Sequence, residues 1–209
     1  MSLASRTNYR HGDLRQALLD AGLDMAREGG ADAVVLREAT RRAGVSPNAA
    51  YRHFADRTEL VEAVRDAAQS RVASAIEAEW DAVPSTLPAA DAAHAHLRAV
   101  GRGYLGFARD EPGLFRAAFT VPPGPEAAFD PAKAGLRGRT SFQLLATALD
   151  ELVAVGALPH ERRSGAEFSA WSAVHGLAML VLEGPLRNLD REAVQAAGAR
   201  LIDMVDRGL

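Results

Sequence analysis

The chain has 209 residues, 48% of them hydrophobic and 24% charged, with a formal net charge of −3. That is enough apolar material for one sizeable core, or for a small domain fused to a larger one. The absence of cysteine excludes a disulfide framework, a thiolate metal site and a cysteine nucleophile, and fits a reducing, cytoplasmic setting.

The charge argues against polyanion binding by the whole chain, but it is unevenly spread. Residues 1–57 hold nine arginines against seven acids, a balance of +2, which leaves −5 for the remainder. A positive face must therefore come from the arrangement of those arginines in space.

Alanine and leucine dominate, β-branched runs are scarce, and no window alternates cleanly between apolar and polar residues, so the reading is all-α. The opening MSLASRTNYRHGD has no apolar run of the signal-peptide kind. A first helix is expected from Asp13, where Asp13 and Gln16 form a D-x-x-Q capping box. Leu14, Ala17, Leu18, Ala21 and Met25 make its apolar stripe, and Gly29-Gly30 ends it. A short second helix follows from about Leu36 to Ala43, with Gly44 as its stop. Ser46-Pro47 starts a third, serine suiting the N-cap and proline the first helical position. Asp56 and Glu59 form a second box, which opens a long fourth helix with the stripe Leu60, Val64, Ala68, Val72, Ile76 and Trp80.

VPSTLP, residues 83–88, breaks the helical pattern and is a candidate junction. Beyond it, helices are expected at about 89–109, 114–119, 138–155, 164–184 and 190–207, with a Pro/Gly-rich loop over 121–135. Phe168–Leu182 is the most apolar stretch. It falls short of the ~20 apolar residues of a membrane span and reads as a buried helix.

The second and third helices, joined through Gly44, make a helix-turn-helix with the first as support. Ala50 and Phe54 are spaced to pack inward, while Asn48, Tyr51 and Arg52 point elsewhere. Amide, hydroxyl, guanidinium and imidazole groups on one short helix suit phosphates and base edges. A structural α-hairpin with a solvated face is the alternative.

YRHGDLRQALLDAG followed by LREATRRAGVSPNAAYRHFADRTELVEAV, about residues 9–64, resembles the DNA-binding domain of the TetR family of transcriptional regulators. AWSAVHGLAMLVLEG, residues 170–184, resembles the Trp-His-Gly motif of one C-terminal subclass, here Trp171, His175 and Gly176. The resemblance implies a helix-turn-helix domain over 1–57 and a ligand-binding and dimerisation domain over 58–209, with 58–81 as the connecting helix. It makes 46–54 the recognition helix and places Ser46, Pro47, Asn48, Tyr51 and His53 at the DNA, with Arg57 on a phosphate and Arg37 and Thr40 on the preceding helix. Two positions depart from the family's habit: Val35 stands where Ser or Thr often caps the second helix, and Ala39-Thr40 where a branched aliphatic and alanine are common.

The implied protein is a homodimeric repressor on a palindromic operator. A small molecule in the C-terminal domain favours a dimer whose recognition helices no longer fit both half-sites. Tyr104, Phe107, Phe119, Phe142, Trp171 and His175, bulky residues on core helices, are the expected pocket, with plain core packing as the alternative for each. An apolar or aromatic effector follows. The penultimate helix is apolar on two sides and so needs two burial partners. Val174, Leu177, Ala178 and Val181, with Leu201 on the last helix, are the expected dimer interface, the last two helices pairing with their copies as a four-helix bundle.

No catalytic constellation stands out. His94 and His96 are i, i+2 on a helix and face apart, which argues against a shared metal. His160 is expected in a loop. No G-x-S-x-G elbow, phosphate loop or dinucleotide fingerprint occurs. No enzyme activity, cofactor or metal is expected.

Overall fold

The computed structural model describes residues 11–120 and 129–209, with side chains from Leu14 onward. The side chain of Asp13 and residues 121–128 of the Pro/Gly-rich loop lie outside the described residues. Among those described, ten α-helices and two 3-10 turns form an all-α fold.

The first three helices are α1 (His11–Gly29), α2 (Leu36–Arg42) and α3 (Pro47–Ala50), and the connecting helix is α4 (Arg57–Asp81). The second half holds α5 (Ala89–Asp110), α6 (Pro112–Phe119), α7 (Ser141–Ala154), α8 (His160–Arg163), α9 (Ala166–Leu182) and α10 (Arg191–Gly208).

Helix α1 starts at His11, ahead of the expected Asp13, and Gln16 bonds forward to Asp20 at 2.9 Å. The complete capping box is at α7 instead: Thr140 accepts from the Gln143 amide and the Gln143 side chain accepts from the Thr140 amide. Helix α4 is capped where expected, the Asp56 carboxylate accepting from the Glu59 amide at 3.0 Å. Glu59 reaches back one residue further than a standard box, to the amide of Ala55 at 2.6 Å. Pro112 is the first residue of α6, two residues ahead of the expected start. His160, expected in a loop, opens the short α8 and is exposed.

The stripe of α4 is buried at Leu60, Val64, Ala68, Val72 and Ile76. It belongs to one contiguous apolar cluster running from Leu18 of α1 to Ala178 of α9. No break in that core marks the sequence division at 57/58. Two close approaches make this continuity possible. A Cβ at Gly103 of α5 would stand 2.5 Å from the Ile76 Cα, so α4 and α5 touch backbone to backbone there. A Cβ at Gly113 of α6 would stand 2.2 Å from the Arg27 carbonyl oxygen. Helix α6 therefore lies directly on the end of α1, and the Arg27 Nε donates to Glu111 at 3.2 Å beside it. The N-terminal helices are held by α6 as well as by α4.

Candidate nucleic-acid interface and ligand cavity

The turn between α2 and α3 is built from local signals. Gly44 has φ +67°, the left-handed conformation that its lack of a Cβ permits. The Ser46 hydroxyl accepts from the Ala49 amide at 3.3 Å, which makes it the N-cap of α3. Regular helix ends at Ala50, and a tighter turn carries the chain to Phe54. Ala50 and Phe54 are fully buried, with the Arg15 guanidinium 4.9 Å above the Phe54 ring. That anchoring leaves Ser46, Pro47, Asn48, Tyr51 and Arg52 exposed, with Arg37 exposed on α2 and His53 half-buried. Tyr51 is 58% exposed, unusual for so large a ring.

Not every expected contact residue shares that face. Thr40 is 5% exposed and its hydroxyl donates to the Leu36 carbonyl at 2.7 Å. Its side chain is taken up in the helix packing, behind the exposed face. Arg57 donates from Nε to the Val34 carbonyl at 2.7 Å and from Nη2 to that of Ala31 at 3.0 Å. Its guanidinium thus fastens the start of α4 to the 3-10 turn Ala31–Ala33. Arg41 and Arg42 are tied to acids: Arg42 grips Glu28 through two bonds of 2.9 Å, and both arginines bond Glu38. Hydrogen bonds from Arg41 and Arg42 hold the Glu38 carboxyl at about 2. Val35 caps α2 without a side-chain bond, as its chemistry dictates.

In the second half, α4, α5, α7, α9 and α10 surround a cavity of about 660 Å³. Tyr104, Phe119, Phe142 and Trp171 line it as expected. Phe107 does not; it is 9% exposed and packed into the core. His175 stands one layer behind the wall. The Trp171 Nε1–H donates to the Tyr104 oxygen at 3.1 Å, and the same hydroxyl shares a hydrogen bond of 2.8 Å with His175 Nδ1. An indole can only donate, so the Tyr104 oxygen is its acceptor, while the imidazole tautomer sets the direction of the second bond. Burial lowers the pKa of His175 and raises that of Tyr104, so both stay neutral at ordinary pH. Val174, expected at a subunit interface, is 9% exposed and lines this cavity instead. Sequence reasoning also missed Phe129, Lys133, Ile202 and Val205 on its wall.

A family description of tetracyclin repressor-like C-terminal domains matches residues 97–205, and one of bacterial regulatory proteins of the tetR family matches residues 18–64. The chain belongs to the TetR family. Among solved structures it is similar to a protein of unknown function from Rhodococcus sp. RHA1, at 26% identity over 98% of this chain and 99% of that one, with TM-score 0.75. It is also similar in fold to a bacterial regulatory protein in the tetR family from Rhodococcus RHA1 (16% identity, 93% and 95% covered, TM-score 0.57). A TetR family transcriptional regulator from Chloroflexus aurantiacus J-10-fl is a further match in fold (21% identity, 96% and 94% covered, TM-score 0.55). No curated protein matches the chain.

TetR family regulators are DNA-binding regulators, not enzymes, and no described helix is long and apolar enough to cross a membrane. In this TetR family chain the three motif residues on α9 divide. Trp171 and His175 face Tyr104, while a Cβ added at Gly176 would meet nothing within 4 Å. Ala178 is 3% exposed and lies inside the protomer, on a groove shared with Leu177 and Val181. Leu180 (43% exposed) of α9 and Met204 (60% exposed) of α10 are exposed large apolar residues, as is Phe168 near the start of α9, and Leu201 is half-buried.

His94 and His96 do face apart. The first lies 2.6 Å from Asp206 of α10, and the second lies 2.6 Å from Glu151 of α7 and stacks on Trp80. No metal-holding cluster occurs among the described residues.

Besides Gln69 and Ile76, which line the cavity directly, α4 is tied to its wall by a strap, residues 134–139. The Ser70 hydroxyl donates to the Ala134 carbonyl at 2.6 Å, Ser74 accepts from the Leu136 amide at 3.3 Å, and the Glu77 carboxylate accepts from the Arg137 amide at 3.2 Å. Glu77 is 3% exposed and leaves no room for a side chain at Gly135. Lys133 at one end of the strap and Thr140 at the other both line the cavity.

Proposed function

We propose that the protein is a ligand-responsive repressor that acts as a homodimer on a palindromic operator, with an effector cavity of the Trp-His-Gly subclass type. The observation that carries the reading is the strap. Ser70, Ser74 and Glu77 recur along one face of α4 and bond to the backbone of a segment whose two ends stand at the cavity. Anything that moves Lys133 or Thr140 pulls on the helix that leads to the recognition helix.

Residues 1–57 would then read DNA and 58–209 would bind ligand and dimerise, moving together because their core is continuous. Ser46, Pro47, Asn48, Tyr51 and His53, with Arg37, form the proposed DNA face. Thr40 acts from behind it and Arg57 holds its frame. Tyr104, Phe119, Phe142 and Trp171 line the proposed effector site, with His175 fixing Tyr104. An apolar or aromatic body suits such walls.

Dimerisation through α9 and α10 would bury Leu180, Met204 and Leu201 around Gly176. Two recognition helices must reach grooves ~34–36 Å apart, so a small change in their separation loses one half-site. A coupling of ~1–3 kcal/mol changes occupancy markedly.

In vitro selection from a random duplex pool tests the DNA reading. The enriched sequence should be a palindrome, and its affinity should fall steeply with salt. A pool that yields no enrichment, or a single unrepeated half-site, defeats it. Gly176→Arg tests the dimer, because the new side chain fits the protomer and only a partner subunit would meet it. Sizing chromatography should show a folded monomer. A dimer of unchanged stability would place the interface elsewhere.

A further inference from the structure

Among the described residues that line the cavity, none is Asp or Glu, and one is a cation, Lys133. Its side chain is 4% exposed. It stands 4.0 Å from Asp66 of α4, at the long limit of an ion pair, and the same Asp66 oxygen accepts from the Arg65 Nε at 3.4 Å. Burial pushes the Asp66 carboxyl up, so that counter-charge is itself held against a desolvation cost. Lys133 is rooted: it closes the 3-10 turn Pro131–Lys133, and the Ser70 bond to Ala134 pins the next residue to α4.

Gln69, one turn from Asp66, also lines the cavity, with its amide nitrogen committed to the Ala118 carbonyl at 2.7 Å. Ile76 of α4 and Leu97, Val100, Ile202 and Val205 of α5 and α10 are apolar, and the hydroxyl of Tyr104 is engaged by Trp171 and His175. Among the described residues, Lys133 and the polar Gln69, Thr140 and Ser141 therefore stand in a mostly apolar wall.

We propose that the cavity selects an amphipathic anion: an aromatic or other apolar body carrying one carboxylate head that meets Lys133. This rests on the reading of the cavity as the effector site. An ammonium has three donor protons, so it takes an incoming carboxylate in addition to its contacts within the protein. A cationic ligand would find no acid among the described residues of the wall. A neutral apolar ligand would leave the ammonium with the contacts it already has and gain nothing from it. A carboxylate adds a charge-assisted bond in a site poor in water. The head would also sit on the strap that Ser70, Ser74 and Glu77 tie to α4, so the charge that confers selectivity acts where the helix is held.

Two probes with one skeleton separate the charge from the body. N-phenylnaphthylamine is neutral, and anilinonaphthalene sulfonate carries an anionic head; both fluoresce on leaving water. The full-length protein should bind both. Lys133→Met should weaken the sulfonate at least about tenfold, as loss of a charge-assisted contact requires, and leave the neutral probe nearly unchanged. That unchanged binding also shows that the variant is folded. Lys133→Arg should retain the sulfonate.

A second measurement needs no variant: naphthoate should displace N-phenylnaphthylamine from the natural protein at lower concentration than naphthamide, although the charged molecule is the better hydrated. Equal or better displacement by the amide overturns the proposal, as does sulfonate binding that ignores Lys133→Met. If the neutral probe fails to enter the natural protein at all, the effector-cavity reading falls and the anion proposal with it. That outcome is distinct from neutral binding without anion preference.

Discussion

The recognition end and the cavity end of this TetR family chain are built from the same material and finished differently. At the recognition end, α1, α2 and α3 close on Leu18, Met25, Ala50 and Phe54 until each is essentially sealed from solvent. Their polar groups face outward, where Arg41, Arg42, Glu28 and Glu38 satisfy one another. At the cavity end, Phe119, Phe142 and Trp171 are only half-buried and leave about 660 Å³ between them. A part that must hold one shape is packed full. A part whose proposed task is to take in a molecule keeps its large rings at the edge of a space. The two are joined by α4, by the strap on it, and by α6 resting on the end of α1.

The same truncation made at both ends should expose this contrast most strongly. Phe54→Ala removes a fully buried ring, and the loss of transfer energy plus the cavity left behind should cost about 3–5 kcal/mol. Phe142→Ala removes a half-buried ring from a wall that already faces open space, and should cost about 1 kcal/mol. Denaturant melts of both variants measure the difference. Equal losses would mean that the cavity end is as tightly packed as the recognition end.

Gly113→Ala attacks the joint between the ends. Its Cβ would sit 2.2 Å from the Arg27 carbonyl, so α6 and α1 must separate at a cost of about 2–3 kcal/mol. DNA binding should suffer more than N-phenylnaphthylamine binding, because the recognition end loses its buttress while the cavity keeps its walls. Loss of both in equal measure would show that the chain unfolds as one unit.

Glu77→Gln is a gentler test of the strap. It keeps the shape and removes the charge that accepts the Arg137 amide, for roughly 1–2 kcal/mol. Probe binding in the cavity should persist while its effect on DNA affinity shrinks. An unaltered effect on DNA would move the coupling off the strap.

Acid should weaken the cavity end first. Burial puts the folded pKa of His175 below its ordinary 6.5, so below that pH the unfolded chain binds a proton that the folded one refuses. Stability from this group is complete above 6.5 and is lost as pH falls toward the folded value. The melting temperature should therefore decline as pH falls below 6.5, and His175→Gln should flatten that part of the decline. The smallest effect on stability belongs to Tyr51→Phe, within about 0.5 kcal/mol for an exposed hydroxyl, while affinity for DNA falls.

The recognition end was legible because its signals are local. Gly44, Ser46-Pro47 and Asp56 act on backbone groups within three or four residues, and those caps and turns stand where the sequence puts them. The apolar stripe of α4 needs only helical periodicity. Thr40 was the local exception: its hydroxyl folds back on Leu36, and burial of that position depends on how α2 meets its neighbours.

The cavity was legible only in part. Bulky residues on core helices could be picked out, but which of them border a space depends on how helices far apart in sequence tilt and pack. That is why Phe107 fell into the core, Val174 turned inward, and Lys133, Ile202 and Val205 came to the wall unannounced.

The sequence alone thus determined the helical class, the helix-turn-helix and its caps, and the family, because periodicity and capping are properties of neighbours along the chain. Tertiary structure alone decided that α6 braces α1, that a strap ties the cavity to α4, and that a buried ammonium stands in the wall of that cavity. Each of those depends on packing that brings together groups tens of residues apart, which no local pattern reveals.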